Sequence, residues 1–250
     1  MKKIVVGIDI GGTNTIFGLV DDTGTILIKD HVPTEHFPIP EDLVAVVCEH
    51  IKKAFLKLGS DYQLVGIGIG APNGNYLNGT IEFAPNLKWE GIIPLAKLFE
   101  SNLKVTTLLT NDANAAALGE MMFGGAKGMN DFIFITLGTG LGSGIISNGQ
   151  LIYGHDSFAG EIGHVIMFTD GRQCGCGRKG CLETYCSATG IKRTYTDLLM
   201  SKHEKVDVKT KVADAKYIYD KAIEGDKNAI EAFNYTGEIL GLALANSVTY

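Results

Sequence analysis

The feature that most constrains this chain is a duplicated unit of apolar strand, glycine turn and second strand. Residues 4 to 10 form a near-continuous apolar run, Gly11-Gly12 turns the chain, and Thr15 to Val20 reads as the partner strand. Asp21-Asp22-Thr23-Gly24 turns it again into a strand from Thr25 to Lys29, which completes a three-strand meander. The pattern recurs downstream. Phe132 to Leu137 leads to Gly138-Thr139-Gly140, a strand through Ile145-Ile146, an Asn148-Gly149 hairpin turn and Gln150 to Tyr153. A duplication of this kind predicts two lobes, each a meander with its own helices. The boundary is expected near residues 112 to 115, giving an N-terminal lobe 1–114 and a C-terminal lobe 115–250.

Between the meanders, Glu41 to Leu58 sets Leu43, Val44, Val47, Ile51, Ala54, Phe55 and Leu58 on one helical face. Leu64 to Gly70 reads as a strand ending in Ala71-Pro72-Asn73-Gly74. Val105 to Thr110 reads as another, ending at Asn111-Asp112, before an alanine-rich helix from Ala113 to Met122. Beyond Cys186 the pattern is helical, over Val212 to Ile223 and Ala229 to Val248. Met200 to Thr210 is polar and charged, as a surface connection would be.

Composition narrows the class of partner. The 250 residues are 45% hydrophobic and 20% charged with 32 glycines, which suits one or two globular domains. A net charge of −6 and a pI near 5.5 provide no general basic surface for nucleic acid or anionic lipid. A small soluble ligand is the expected partner. Met1-Lys2-Lys3-Ile4-Val5-Val6 resembles the start of a signal peptide, but Asp9 interrupts the apolar run, and no window reads as a membrane span. The expected location is the cytoplasm, where reducing conditions disfavour disulfides. Five cysteines therefore need another explanation, since Cys174, Cys176, Cys181 and Cys186 are bunched and only Cys48 stands apart.

Asp9-Ile10-Gly11-Gly12-Thr13-Asn14 lets backbone N–H groups approach a phosphate where side chains are missing, with Asp9 able to hold Mg²⁺ through water. A single Gly-Gly hairpin turn is usually only a turn. The sequence is neither a Walker loop, since the lysine and spacing are missing, nor a dinucleotide fingerprint, since a strand follows and not a helix. Leu137-Gly138-Thr139-Gly140-Leu141-Gly142 stands at the equivalent place in the second meander, so the two turns together are expected to clamp a triphosphate. Asn111-Asp112-Ala113-Asn114 lies where a strand meets a helix. An aspartate there is commonly a cap, and an ionised carboxylate in that place also serves as the general base that phosphoryl transfer requires.

The most specific stretch contains Gly160-Glu161-Ile162-Gly163-His164 and then Cys174-Gly175-Cys176-Gly177-Arg178-Lys179-Gly180-Cys181-Leu182-Glu183. One imidazole and three thiolates in a glycine-rich loop suit tetrahedral Zn²⁺, with His164, Cys174, Cys176 and Cys181 as ligands. No ligand position is left open for catalysis, so the metal is expected to be structural. Cys186 is read as a packing thiol.

Through these motifs, with Gly70-Ala71-Pro72 and Ala84-Pro85-Asn86-Leu87, the chain resembles the ROK family of bacterial sugar kinases and sugar-responsive repressors, within the actin-like ATPase superfamily. The resemblance covers nearly the whole chain. It implies a two-lobed α/β, actin-like ATPase (ribonuclease H-like) fold of mixed sheets flanked by helices, with a structural zinc loop. It also implies that Asp112 is the base and that Asn86, Asn111, Glu161, His164 and Glu183 line a sugar pocket. ATP with Mg²⁺ would be held by Asp9, Gly11, Gly12, Thr13, Asn14, Gly138, Thr139 and Gly140. A homodimer is expected on the same ground. The family often has glycine after its Gly-x-Pro, where this chain has Asn73.

The expected activity is transfer of the γ-phosphate of ATP to the 6-hydroxyl of glucose, with an N-acetylglucosamine or N-acetylmannosamine kinase as the alternative within the class. Polyphosphate stays open as a donor. From the other class, a sugar-sensing regulator would carry an N-terminal helix-turn-helix domain, whereas this chain begins its first strand at residue 4. Family members also continue beyond the helix in which Tyr250 stands, with a strand, a glycine pair over the adenosine and a terminal helix. Weak or absent turnover is therefore expected of these 250 residues alone.

Overall fold

A computed structural model describes residues 1–201 and 214–247. The chain forms two compact units, Met1–Phe134 with Gly144–Gly160, and Ile135–Ser143 with Glu161–Tyr250. In the first, β1 (Lys2–Ile10), β2 (Asn14–Asp21) and β3 (Ile26–Pro33) make the antiparallel meander read from the sequence, with Ile10 opposite Thr15 across the glycine turn. Along β1 burial alternates, so that Ile4, Val6, Ile8 and Ile10 enter the core while the residues between them face outward. The apolar run is thus a one-sided strand.

Helix α1 (Pro40–Leu58) starts on a proline, whose missing N–H costs nothing at that position, and stops at Gly59. Its predicted stripe is buried at Leu43, Val44, Val47, Ile51 and Ala54, and Cys48 joins it. Strand β4 (Tyr62–Ala71) pairs parallel to β1. Two features escape a sequence reading. One is a small antiparallel sheet of β5 (Gly74–Asn75), β6 (Thr80–Glu82) and β7 (Ile92–Ile93). The other is helix α2 (Leu95–Leu103). The sheet strands are two or three residues long, too short for periodicity to register.

Strand β8 (Thr107–Asn111) closes the main sheet, in the order β3-β2-β1-β4-β8, and runs straight into α3 (Asp112–Phe123). Because β1, β4 and β8 are parallel, their carboxyl ends fall on one edge, with Asp9 beside Gly70 and Gly70 beside Thr110. That edge is where open α/β sheets bind ligands. Asn73, standing where the family often has glycine, adopts the left-handed conformation at φ 51° and donates Nδ2 to the carbonyls of Glu82 and Phe83. Asparagine is among the few residues that tolerate this region. Gly74 follows because any Cβ there would strike the Thr110 carbonyl.

The second meander is β9 (Phe132–Leu137), β10 (Leu141–Ser147) and β11 (Gln150–Leu151), a sheet of order β11-β10-β9. In the second unit the short α4 (Glu183–Cys186) leads into α5 (Ala188–Ser201), and α5, α6 (Ala215–Ile223) and α7 (Lys227–Ser247) share a core of Ile191, Tyr195, Ile218, Ala229 and Ala232. Met200 and Ser201 are the last residues of α5 and not part of a connection, while residues 202–213 and 248–250 lie outside the described residues. No helix among the described residues is long and apolar enough to cross a membrane.

Leu43 is fully buried between α1 and the main sheet. Leu43→Ala should lower the unfolding free energy in urea by about 2–5 kcal/mol, whereas Lys53→Ala, which loses only an exposed pair with Glu49, should change it by no more than about 1 kcal/mol.

Candidate functional site

At the edge of the main sheet the site begins with Asp112, the first residue of α3. The sequence suggests Asp112 itself as the helix cap, but the N-cap is Asn111, whose Oδ1 accepts from the Ala113 N–H at 2.9 Å. Asp112 Oδ1 accepts from the same N–H at 2.8 Å. With Asn111 capping, Asp112 is exposed at a helix N-terminus, where the backbone dipole favours negative charge. Gly70 allows this close approach, since a Cβ there would lie 3.1 Å from Ala115 Cβ and 3.4 Å from Asp112 Cα. Asp9 faces the same edge. Crowding of its carboxyl away from water, and then the charge of Asp112, raise its pKa above the usual carboxylate range.

The first glycine turn is built less simply than its sequence suggests. The Gly11 N–H donates to the Asn14 carbonyl at 2.9 Å, so that donor closes the turn itself. Gly12 packs on the backbone of Asn86, whose carbonyl a Cβ at position 12 would strike. Thr13, Asn14 and Asn86 are exposed. The segment bearing Asn86 is tied down by Lys88 Nζ to the Glu35 carbonyl at 2.9 Å and by Trp89 Nε1 to the Phe37 carbonyl at 3.0 Å. Asp9, Gly12, Asn86, Asn111 and Asp112 therefore all belong to the first unit, with Gly12 and Asn86 in direct contact.

In the second unit, the Gly138-Thr139-Gly140 turn sits against helix starts. The Gly138 carbonyl accepts from Ala188 N–H at 2.9 Å, and the Thr139 carbonyl from Thr189 Oγ1 at 2.9 Å. Leu141, the next residue, is held through its peptide groups. Its N–H donates to Glu183 Oε2 at 3.1 Å, and its carbonyl abuts Gly163, where a side chain could not fit. The same Glu183 oxygen lies against Gly140, where a Cβ would have to displace it. The Ile162 N–H is held by Ser143 Oγ at 3.1 Å. Glu183 and the segment from Glu161 to His164 thus pack against the turn, although more than forty residues separate Gly138 from Glu183.

His164, Cys174, Cys176 and Cys181 bring their ligand atoms within 4.8 Å of one another. Cys174 Sγ lies 3.7 Å from His164 Nδ1, and Cys176 Sγ lies 3.6 Å from Cys181 Sγ. Zinc–sulfur bonds of about 2.3 Å in a tetrahedron separate sulfurs by about 3.8 Å, so the donor set fits that ion. Nδ1 faces the sulfurs, leaving Nε2 on the other edge of the ring. Burial works against ionising Cys176, but hydrogen bonds from Arg178, Cys174 and Cys181 outweigh it and bring the thiol down to about 6. Cys174 is pushed up to about 12, first by burial. The loop turns at Gly177 and Gly180 with φ of 88° and 74°. Cys186 is buried and directed to the Thr236 carbonyl, as a packing thiol should be.

Arg172 was not visible in the sequence as a functional residue. Its Nη1 donates to the Thr184 and Gly190 carbonyls and to Thr194 Oγ1 at 3.0–3.1 Å, its Nη2 meets Asp197 at 3.0 Å, and its guanidinium lies 4.7 Å from the centre of the Tyr185 ring. Tyr185 Oη in turn accepts from the Arg172 N–H. Arg172 joins the start of the cysteine loop to α4 and α5. Only its place just before the first loop cysteine hinted at this.

The ROK family description matches residues 5–250. The glucokinase of Streptomyces coelicolor is 37% identical over 253 residues, covering 97% of this chain and 77% of that protein. The xylose repressor of Bacillus spizizenii is 33% identical over 244 residues, covering 96% and 60%. A crystal structure of a ROK family glucokinase from Streptomyces griseus, in complex with glucose and AMPPNP, superposes with a TM-score of 0.78 at 35% identity, covering 98% and 79% of the two chains.

Cys176→Ser should lower the zinc content of the purified protein and its melting temperature together. Because metal displaces protons from thiols whose pKa values are raised at Cys174 and Cys181, zinc affinity should fall as pH is lowered, with protons released on binding. Titration of the metal at two pH values checks both.

Proposed function

The chain belongs to the ROK family, and we propose that it is an ATP-dependent hexose kinase that transfers the γ-phosphate of ATP to the 6-hydroxyl of glucose. The observation that carries this reading is Asp112, exposed at the start of α3 at the carboxyl edge of parallel strands, with Asn111 serving as the cap. With Oδ1 engaged by Ala113, Oδ2 is available to accept the proton of the attacking hydroxyl. Phosphoryl transfer asks the protein mainly for alignment and charge stabilisation, and one placed carboxylate suffices as base.

The hydroxyls of a hexose need partners that both donate and accept, which Asn86, Asn111, Glu161, His164 and Glu183 supply in this reading. Asp9, Gly11, Gly12, Thr13, Asn14, Gly138, Thr139 and Gly140 are assigned to the nucleotide phosphates. Backbone N–H groups near glycine can approach an anion closely, although the Gly11 donor is already used in its own turn. Burial first, and then the charge of Asp112, raise the pKa of Asp9, and a cation nearby would favour its ionised form against both. Magnesium bound with the nucleotide would neutralise phosphate charge, with Asp9 reaching it through water. The lobes of this reading are residues 1–114 and 115–250, in a cytoplasmic homodimer.

His164, Cys174, Cys176 and Cys181 would hold zinc as a structural ion, since four protein ligands fill a tetrahedron. The second reading is a sugar-sensing regulator, favoured by the likeness to the xylose repressor. Phosphorylation separates the two. An N-acetylhexosamine kinase is separated from a glucokinase by comparing turnover on glucose, N-acetylglucosamine, N-acetylmannosamine and fructose, with ATP or polyphosphate as donor. Glucose should be the preferred acceptor, and negligible turnover on it would overturn the assignment.

Asp112→Asn should reduce kcat by about 10²–10⁴-fold while changing glucose affinity little. Retained turnover would remove Asp112 from the mechanism.

A further inference from the structure

Glu183 does more in this fold than present a carboxylate to a sugar. Its Oε2 accepts from the Leu141 N–H at 3.1 Å and lies where a Cβ at position 140 would be, so a side chain there would displace it. Its Oε1 lies 3.6 Å from Cys174 Sγ, at the edge of the metal-binding loop. The Leu141 carbonyl is meanwhile packed against Gly163. The peptide that leaves the second glycine turn is therefore gripped on one side by Glu183 and on the other by the segment that leads to His164. The geometry points to Glu183 as a positioning residue for the Gly138–Leu141 turn, fixing that turn for the donor nucleotide whether or not a sugar is bound. This rests on the assignment of the turn to phosphate and adds a role to Glu183 beyond recognition of hydroxyls.

The physical basis is a charge-assisted hydrogen bond to a half-buried carboxylate. A glycine-rich turn has few side chains to anchor it, so its conformation depends on such contacts from outside. Gly138 and Thr139 are fastened through their carbonyls to the start of α5, which leaves Glu183 to fasten the N–H at the other end.

The test is amide hydrogen exchange at Leu141 together with ADP affinity in sugar-free protein, with zinc content measured for each variant. Glu183→Ala should speed exchange at Leu141 and weaken ADP binding by about ten- to a hundredfold. Glu183→Gln, which keeps an acceptor for the N–H, should recover most of both. A residue that serves only the sugar would leave exchange and sugar-free ADP affinity unchanged in both variants, and that result overturns the inference. If Glu183→Ala loses zinc or fails to fold, Gly140→Ala replaces it, because its methyl displaces Oε2 from a protein that keeps the carboxylate. It should show the same faster exchange at Leu141, and normal exchange would likewise overturn the inference; its readout is exchange alone, because Gly140 is itself assigned to the phosphates. Wild-type protein that binds no ADP would sink the kinase reading itself, and the inferred nucleotide role with it, while exchange at Leu141 would still report whether the grip exists.

Discussion

The parallel register of β1, β4 and β8 is the constraint from which the first unit's chemistry follows. It puts Asp9 and the Asn111–Asp112 pair on one edge of one sheet, although a hundred residues separate them in the chain. Withdrawal of its carboxyl from water, and then the charge of Asp112 brought close in this way, raise the pKa of Asp9. A fold that gathered apolar surface alone would gain nothing from that arrangement. Residues that break the local preference for separated charge are characteristic of functional sites, where an incoming cation or proton offsets the repulsion.

The second unit solves a different problem, that of holding glycine-rich backbone still. A glycine turn has the conformational freedom to approach a ligand and, for the same reason, a large entropy to lose. Here the turn is fastened by groups from elsewhere: α5 through Ala188 and Thr189, and α4 through Glu183. Arg172 then ties the cysteine loop to those same helices with one guanidinium serving three acceptors on its Nη1 and a carboxylate on its Nη2. A planar fork of five donors is suited to such a junction, and lysine could not replace it. The candidate metal ligands, Glu183 and the second turn are in this way parts of one polar framework within the second unit.

Much of this was legible beforehand because it depends on local pattern. An apolar run before a glycine turn, the strand after it, a helical stripe and an alanine-rich stretch located β1, β2, α1 and α3 to within about two residues. The cysteine spacing revealed its cluster, since no packing argument explains three thiols in eight residues. The reason for individual glycines was not legible. Gly12 and Gly140 read as openings toward phosphate, whereas the structure shows each pressed against another part of its own unit, Asn86 and Glu183 respectively. Arg172 carried no pattern that marked it, and the small β5–β7 sheet has too few residues to carry a period.

By itself the sequence determined the class of fold, the duplicated meander, the residues able to do acid–base and metal chemistry, and the family. Those follow from residue type and short-range spacing, which the chain carries wherever it folds. Tertiary structure decided which of those residues meet. It set Asn111 and not Asp112 as the cap, brought Asp9 into the field of Asp112, and joined Glu183 to the peptide of Leu141. Each of these is a distance between residues remote in sequence or a choice between adjacent side chains, and packing alone sets such distances.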